Sequence, residues 1–257
     1  MSPLRFLLLA VSALWFITGC EVNRVLTIKR DGSGQITEHF MASRDSFASD
    51  KPEDKGTFQM KMPRPTAETL AKDAAKLGEG ITVKSFKALE TKEMMGYDAV
   101  YEFADINKLH ADAFLQEEGM KGPGAPAADD ASRNFKFTKG AVSELIVPIK
   151  AKEKKENPPP PDKNADPKQR EAFFEALKHL NLRMAVRVDG KIVETNSHFR
   201  QGDEVVLSEM NLAGMFADPK YAQVFKDAAA GKQDLKEPPK DAKYLKKEEA
   251  DVKIRFK

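Results

Sequence analysis

Residues 25–40 read VLTIKRDGSGQITEHF, and the fold is read outward from them. Leu26 and Ile28 alternate with Thr27 and Lys29, the period of a strand that buries one face. Asp31, Gly32, Ser33 and Gly34 then supply residues that tolerate a tight turn, and Ile36 and Phe40 resume the apolar face. A β-hairpin is predicted. Asp31, Ser33 and Glu38 lack the acidic spacing and the glycine position of a calcium-binding loop, so the acids belong to the turn.

Toward the C-terminus, Thr66 offers an N-cap, and Leu70, Ala74 and Leu77 share one face of the helix it opens. Gly78 and Gly80 end that helix. Residues 81–90 and 97–103 return to the strand pattern, Tyr97, Ala99, Tyr101 and Phe103 lying on one side. Residues 119–132 have loop composition, and Phe135, Phe137, Leu145, Val147 and Ile149 mark a further strand pair. Residues 150–167 (KAKEKKENPPPPDKNADP) replace apolar periodicity with charge and proline, and Pro158 to Pro161 suit a stiff, solvated spacer better than a proline-recognition motif.

Beyond the spacer, Asp166, Pro167 and Gln169 form a helix start, with Phe173, Leu177 and Leu180 as the apolar face. Leu182, Met184, Val186 and Val188 predict a strand, and Gly190 turns the chain into Ile192 and Val193. Val205 and Leu207 mark another strand. Asp218 and Pro219 open a helix carrying Val224, Phe225 and Ala228, with Gly231 at its end. Val252, Ile254 and Phe256 close the chain as a strand. Residues 184–199 (MAVRVDGKIVETNSHF) repeat the strand, Asp-Gly, strand, His-Phe order of residues 25–40; either hairpin grammar or an internal duplication produces this.

The fold class expected is α+β, with largely antiparallel sheets of hairpins and three or more helices on one face. Four segments follow: 1–19 as a cleaved signal peptide, 20–149 as a first α+β part, 150–166 as a charged, proline-rich spacer or insertion, and 167–257 as a second α+β part. We expect the two parts to share a sheet through the terminal strand, because the second is small and buries little surface alone; two separate modules are the alternative.

The N-terminus carries an address. Arg5 precedes twelve uncharged residues at 6–17 (FLLLAVSALWFI), the length of a signal-peptide core and short of the roughly 20 residues of a spanning helix. Ile17, Thr18, Gly19 and Cys20 follow, and Cys20 is the only cysteine. This segment resembles the bacterial lipoprotein signal, whose lipobox places an aliphatic residue, a small or β-branched residue, Gly or Ala, and Cys in that order. The resemblance implies recognition of Ile17, Thr18 and Gly19 by the lipoprotein signal peptidase, cleavage before Cys20, and a diacylglyceryl thioether on Cys20 with further acylation such as palmitate. No cofactor beyond this covalent lipid is expected. By the family's sorting rule, Glu21 after the cysteine favours the outer membrane, facing the periplasm, in a host with two membranes; otherwise the outer face of the cytoplasmic membrane is implied. Residues 190–196 (GKIVETN), with Gly202 and the strand after it, are similar to the strand-turn-strand passage of LppM-type envelope lipoproteins, with Asp189 and Leu207 where that passage carries proline and tryptophan. That likeness implies an α+β envelope ectodomain and no active site.

The 257 residues carry 42 Lys plus Arg and 40 Asp plus Glu. This balance gives no basic field for nucleic acid. His39, His110, His179 and His198 contain no pair at the three- or four-residue spacing of a helical metal site. Gly32-Ser33-Gly34 lacks the spacing of a nucleophile elbow, and neither a P-loop nor a dinucleotide fingerprint occurs. Glu117-Glu118 and Asp129-Asp130 are adjacent acids in polar surroundings, which as an acid and base pair would need to face each other. A non-catalytic ectodomain acting on an envelope protein partner is the expectation, as assembly factor, scaffold or accessory subunit. The alternatives are a lipid or glycolipid carrier lined by Phe40, Tyr101, Phe103, Phe135 and Phe137, and a hydrolase without a recognised motif.

Overall fold

The computed structural model describes residues 20–44, 66–92, 94–115, 133–149, 180–230 and 243–257, with residues 174, 178, 232 and 241. The segment 1–19, the 119–132 loop, the spacer 150–166 and the start of the helix expected at Asp166 lie outside them.

Strand β1 (Cys20–Ile28) pairs antiparallel with β2 (Gly34–Ser43), Leu26 opposite Ile36, which is the expected hairpin. Gly32 turns it at φ 91°, a value that L side chains rarely adopt, and its hydrogen faces the Phe137 ring where a Cβ would stand 2.8 Å from it. Beyond β2 come β4 (Met94–Phe103) and the edge strand β3 (Thr82–Glu90), both antiparallel, with a bulge in β3 between Val83 and Ser85. On its other side β1 takes β7 (Leu180–Val188) in parallel, Leu26 opposite Val186, and β7 takes β10 (Glu204–Asn211), which β11 (Leu245–Lys247) and the two-residue β9 (Arg200–Gln201) extend. Strands from before and after the spacer therefore share this sheet. The second sheet runs β5 (Lys136–Thr138), β6 (Ser143–Val147), β12 (Val252–Phe256) and β8 (Ile192–Thr195), all antiparallel. Val252 stands opposite Val147, so the terminal strand also joins residues from before the spacer.

Helix α1 (Ala67–Leu77) starts as its sequence indicates. Thr66 accepts from the Thr69 amide at 3.2 Å, and Thr69 Oγ1 accepts from the Thr66 amide at 2.7 Å. Leu70, Ala74 and Leu77 are buried in the cluster that holds Leu26, Ile36, Tyr101, Val186 and Ile254. A 3-10 turn (Ile106–Lys108) and the short α2 (Ala111–Leu115) complete this side, burying Ile106, Leu109 and Phe114 in the same cluster. Helices α3 (Leu212–Ala217) and α4 (Pro219–Ala229) follow β10. Asp218 caps α4 by accepting from the Lys220 amide at 2.9 Å, and Tyr221, Phe225 and Ala228 pack with Leu180, Leu182 and Met215 in a second cluster. The molecule is α+β and sheet-rich.

Three expectations are corrected. Leu180 does not belong to a helical face: it opens β7, in register with Cys20. Ile192 and Val193 do not fold back on the strand before Gly190. That strand is already flanked by β1 and β10, so β8 has no free edge there and crosses to the second sheet. Gly190 makes the crossing at φ 155°, with the Lys257 carbonyl 2.6 Å from where a Cβ would sit, and Lys191 and Lys257 exchange backbone hydrogen bonds of 2.9 and 3.1 Å. Residues 184–199 are thus a corner between sheets and not a second copy of the 25–40 hairpin. The end expected for α4 at Gly231 lies outside the described residues.

Candidate functional site

Alternation on β1 and β2 puts Arg24 and Glu38 on the same face as Leu26 and Ile36, opposite each other in the hairpin register. Both charges are buried, at 5% and 6% exposure. Glu38 Oε2 receives Arg24 Nε and Nη2, each at 3.1 Å, and Tyr97 of β4 donates its hydroxyl to Oε1 at 2.7 Å. Arg24 Nη1 reaches on to the backbone of α2, donating to the Phe114 carbonyl at 2.8 Å and the Ala113 carbonyl at 3.4 Å. Phe40 and Phe86 flank Tyr97, ring centroids 5.5 and 6.2 Å away. Burial pushes the Tyr97 hydroxyl well above its ordinary range, and the Glu38 carboxylate pushes it further. Tyr97 is consequently a proton holder and a hydrogen-bond donor.

A cleft over this network is lined by Asp73, Lys76 and Leu77 of α1, by Tyr101 and by Ala113, with a cavity volume of ≈ 10 Å³. That is room for about one water molecule. Lys76 and Asp73 pair at 2.6 Å along α1. Chemically the site is a satisfied ion pair: the carboxylate oxygens are occupied by Arg24 and Tyr97, and the guanidinium ties the last carbonyls of α2 to the centre of the sheet. It fixes a helix on a sheet and presents no activated nucleophile.

Other acids are also tied down. Glu204, 6% exposed, receives Arg183 and, at 2.8 Å, Arg187. Glu248, 5% exposed, accepts from Ser197 Oγ at 2.6 Å and the His198 amide at 3.0 Å. Asp218 accepts from Tyr244 at 2.6 Å, and Asp241 accepts from the Lys243 amide at 3.0 Å and from Tyr221 at 2.7 Å; these hydrogen bonds hold both carboxyls below the usual carboxylate range.

Cys20 is the first residue of β1. Ile17, Thr18 and Gly19 lie outside the described residues, as do His179, Glu117, Glu118, Asp129 and Asp130. The other histidines are not brought together: His39 pairs with Asp98 at 2.6 Å, His110 Nδ1 stands 3.2 Å from the Lys76 carbonyl, and His198 lies 3.5 Å from Glu248. Among the described residues no three His, Cys, Asp or Glu side chains stand close enough to hold a metal ion. Tyr101, Phe103 and Phe135 lie in the main core, Phe137 packs against it, and Phe40 packs with Ala42 and Met95. Residue-level reading missed the Arg24, Glu38 and Tyr97 network. Its signal was present: two opposite charges on the apolar parity of one hairpin.

No family model and no curated protein matches the chain. Among solved structures it is similar to the NMR structure of the folded domain of the LppM protein of Mycobacterium tuberculosis, at 12% identity, covering 95% of this chain and 93% of that one, with a TM-score of 0.31. That likeness is too low to transfer fold or function.

Proposed function

We propose that this chain is a membrane-anchored lipoprotein of the bacterial cell envelope whose folded part acts through protein contacts, as an assembly factor, scaffold or accessory subunit. The observation that carries the reading is Ile17-Thr18-Gly19-Cys20 closing an uncharged run at 6–17, with the single cysteine of the chain at the lipidated place. The diacylglyceryl thioether requires a thiolate, which only Cys20 offers. Protein contacts are preferred to lipid carriage because the aromatic residues of the strands pack into the cores and the cleft has room for about one water. They are preferred to catalysis because Arg24, Glu38 and Tyr97 satisfy one another.

In a host with two membranes the address is the periplasmic face of the outer membrane. Metabolic labelling with a palmitate analogue tests the anchor: wild type should take up label, Cys20→Ser should not, and equal labelling of the two refutes it. In-cell crosslinking with mass spectrometry tests the contacts. A reproducible envelope partner is expected, and none recovered across growth conditions counts against the reading.

A further inference from the structure

Cys20 has two positions at once. It is the lipobox cysteine, and its backbone is the first residue of β1, in register with Leu180 of β7, while Glu21 already stands opposite both Asn181 and Met41. β1 is an interior strand of the larger sheet. No tether therefore separates the lipid-bearing residue from the ladder, and each residue of chain spans at most ~3.6 Å.

Neighbouring strands stand about 4.8 Å apart. The strand ends beside Cys20 are those of β2, followed by Arg44; of β3 and β4, joined through the turn that carries Lys92; and of β10, ending at Asn211. Resting on the lipoprotein reading, we infer that this end of the sheet lies directly on the lipid headgroups, with β1 running away from the membrane. Acyl chains on Cys20 cannot enter the hydrocarbon unless its backbone is at the headgroup layer, and the adjoining strand ends are carried there with it.

The chemistry of this end suits a surface seat. Arg44 is paired with Glu90 at 3.4 Å, and Lys92 is exposed beside them, so the rim offers charge for headgroups. Among the described residues the exposed large hydrophobic side chain is Val193, which lies in β8 of the other sheet. Among the described residues, this end has no wedge to insert. The opposite pole is formed by the Gly32 turn and the 139–141 turn, where Arg30 Nη2 reaches the Ala141 carbonyl at 3.4 Å. Eight strand steps from Cys20 to Ile28 place that pole about 27 Å further out, and it is the pole open to a protein partner.

The test uses the full, acylated chain in phosphatidylcholine and phosphatidylglycerol vesicles that carry a nitroxide on the headgroup. The Cys20 sulfur is consumed in the thioether, so a fluorophore placed by Lys92→Cys or Lys139→Cys reports one position each. The expected result is strong quenching at 92 and retained fluorescence at 139. A flexible Gly/Ser insert of about 12 residues between Cys20 and Glu21, with an end-to-end reach of about 19 Å, should relieve the quenching at 92 while leaving the acyl mass unchanged. Equal quenching at the two positions, or an insert without effect, overturns the inference while leaving the anchor intact. A chain of unmodified mass at Cys20 overturns the anchor and this inference together.

Discussion

Two segments share the order strand, Asp-Gly, strand and end differently. At Asp31 and Gly32 the chain reverses and β2 lies back on β1; at Asp189 and Gly190 it leaves the larger sheet, and β8 pairs with β12 of the other. The difference is in the available edges. β1 meets β2 as its sequence neighbour with an edge to spare, whereas β7 is filled on one side by β1 and on the other by β10, and the Asp189 amide extends the β1 ladder by donating to the Ile28 carbonyl at 2.8 Å. Turn chemistry allows a reversal; a vacant edge decides where the next strand goes.

The largest expected effect removes the partner that captures β8. Deletion of residues 250–257 takes away β12, whose Val252, Ile254 and Phe256 are at most 1% exposed and which pairs with both β6 and β8. We propose that residues 20–149 and 167–257 unfold together when it is lost, read as loss of circular dichroism and of amide protection in β1 as well as β8. Protection of β1 to β4 surviving the deletion would show that the larger sheet stands without β12. Next is the charged pair that locks the first hairpin and has no counterpart between β7 and β8. Glu38→Ala should destabilise by about 3–5 kcal/mol because it strands Arg24 in the core, while Arg24→Met with Glu38→Leu should recover most of that loss. Chemical denaturation measures both.

The two turn glycines face different neighbours, a backbone carbonyl at Gly190 and a phenyl ring at Gly32. Gly190→Ala should cost about 3 kcal/mol, since the strained φ is joined by a clash with the Lys257 carbonyl, a backbone atom that cannot swing aside. Gly32→Ala should cost about 1.5 kcal/mol, because its Cβ meets a phenyl ring able to shift. Equal losses would mean that the corner is no more constrained than the hairpin. The smallest effect is a slope. An unfolded tyrosine loses its proton near pH 10, whereas Tyr97 in the fold keeps it to higher pH. The folded state then binds more protons above pH 10, so stability falls as pH rises there, by up to about 1.4 kcal/mol per pH unit. Tyr97→Phe should flatten that fall, and an unchanged slope would show that Tyr97 does not hold its proton.

The comparison also explains what was legible in the residues. β1, β2, β4, β7 and β12 were readable because their inward positions are apolar at period two, and α1 and α4 because Thr66 and Asp218 mark their starts. The parallel pairing of β1 with β7 leaves no local trace, since the two strands are joined by no turn. Leu180 fits a helix through its spacing from Leu177 and fits a strand through Leu182; pairing with Cys20 settles it. Arg24 and Glu38 follow the inward parity of their strands, yet a charged residue reads as solvated until its partner's register is known.

The most direct measurement is the mass of the N-terminal tryptic peptide from membranes of the native host. Cleavage before Cys20 and after Arg24 releases residues 20–24, CEVNR, and that peptide should carry the diacylglyceryl thioether. Recovery of residues 6–24 uncut, or of residues 20–24 with a free thiol, would contradict the lipoprotein assignment.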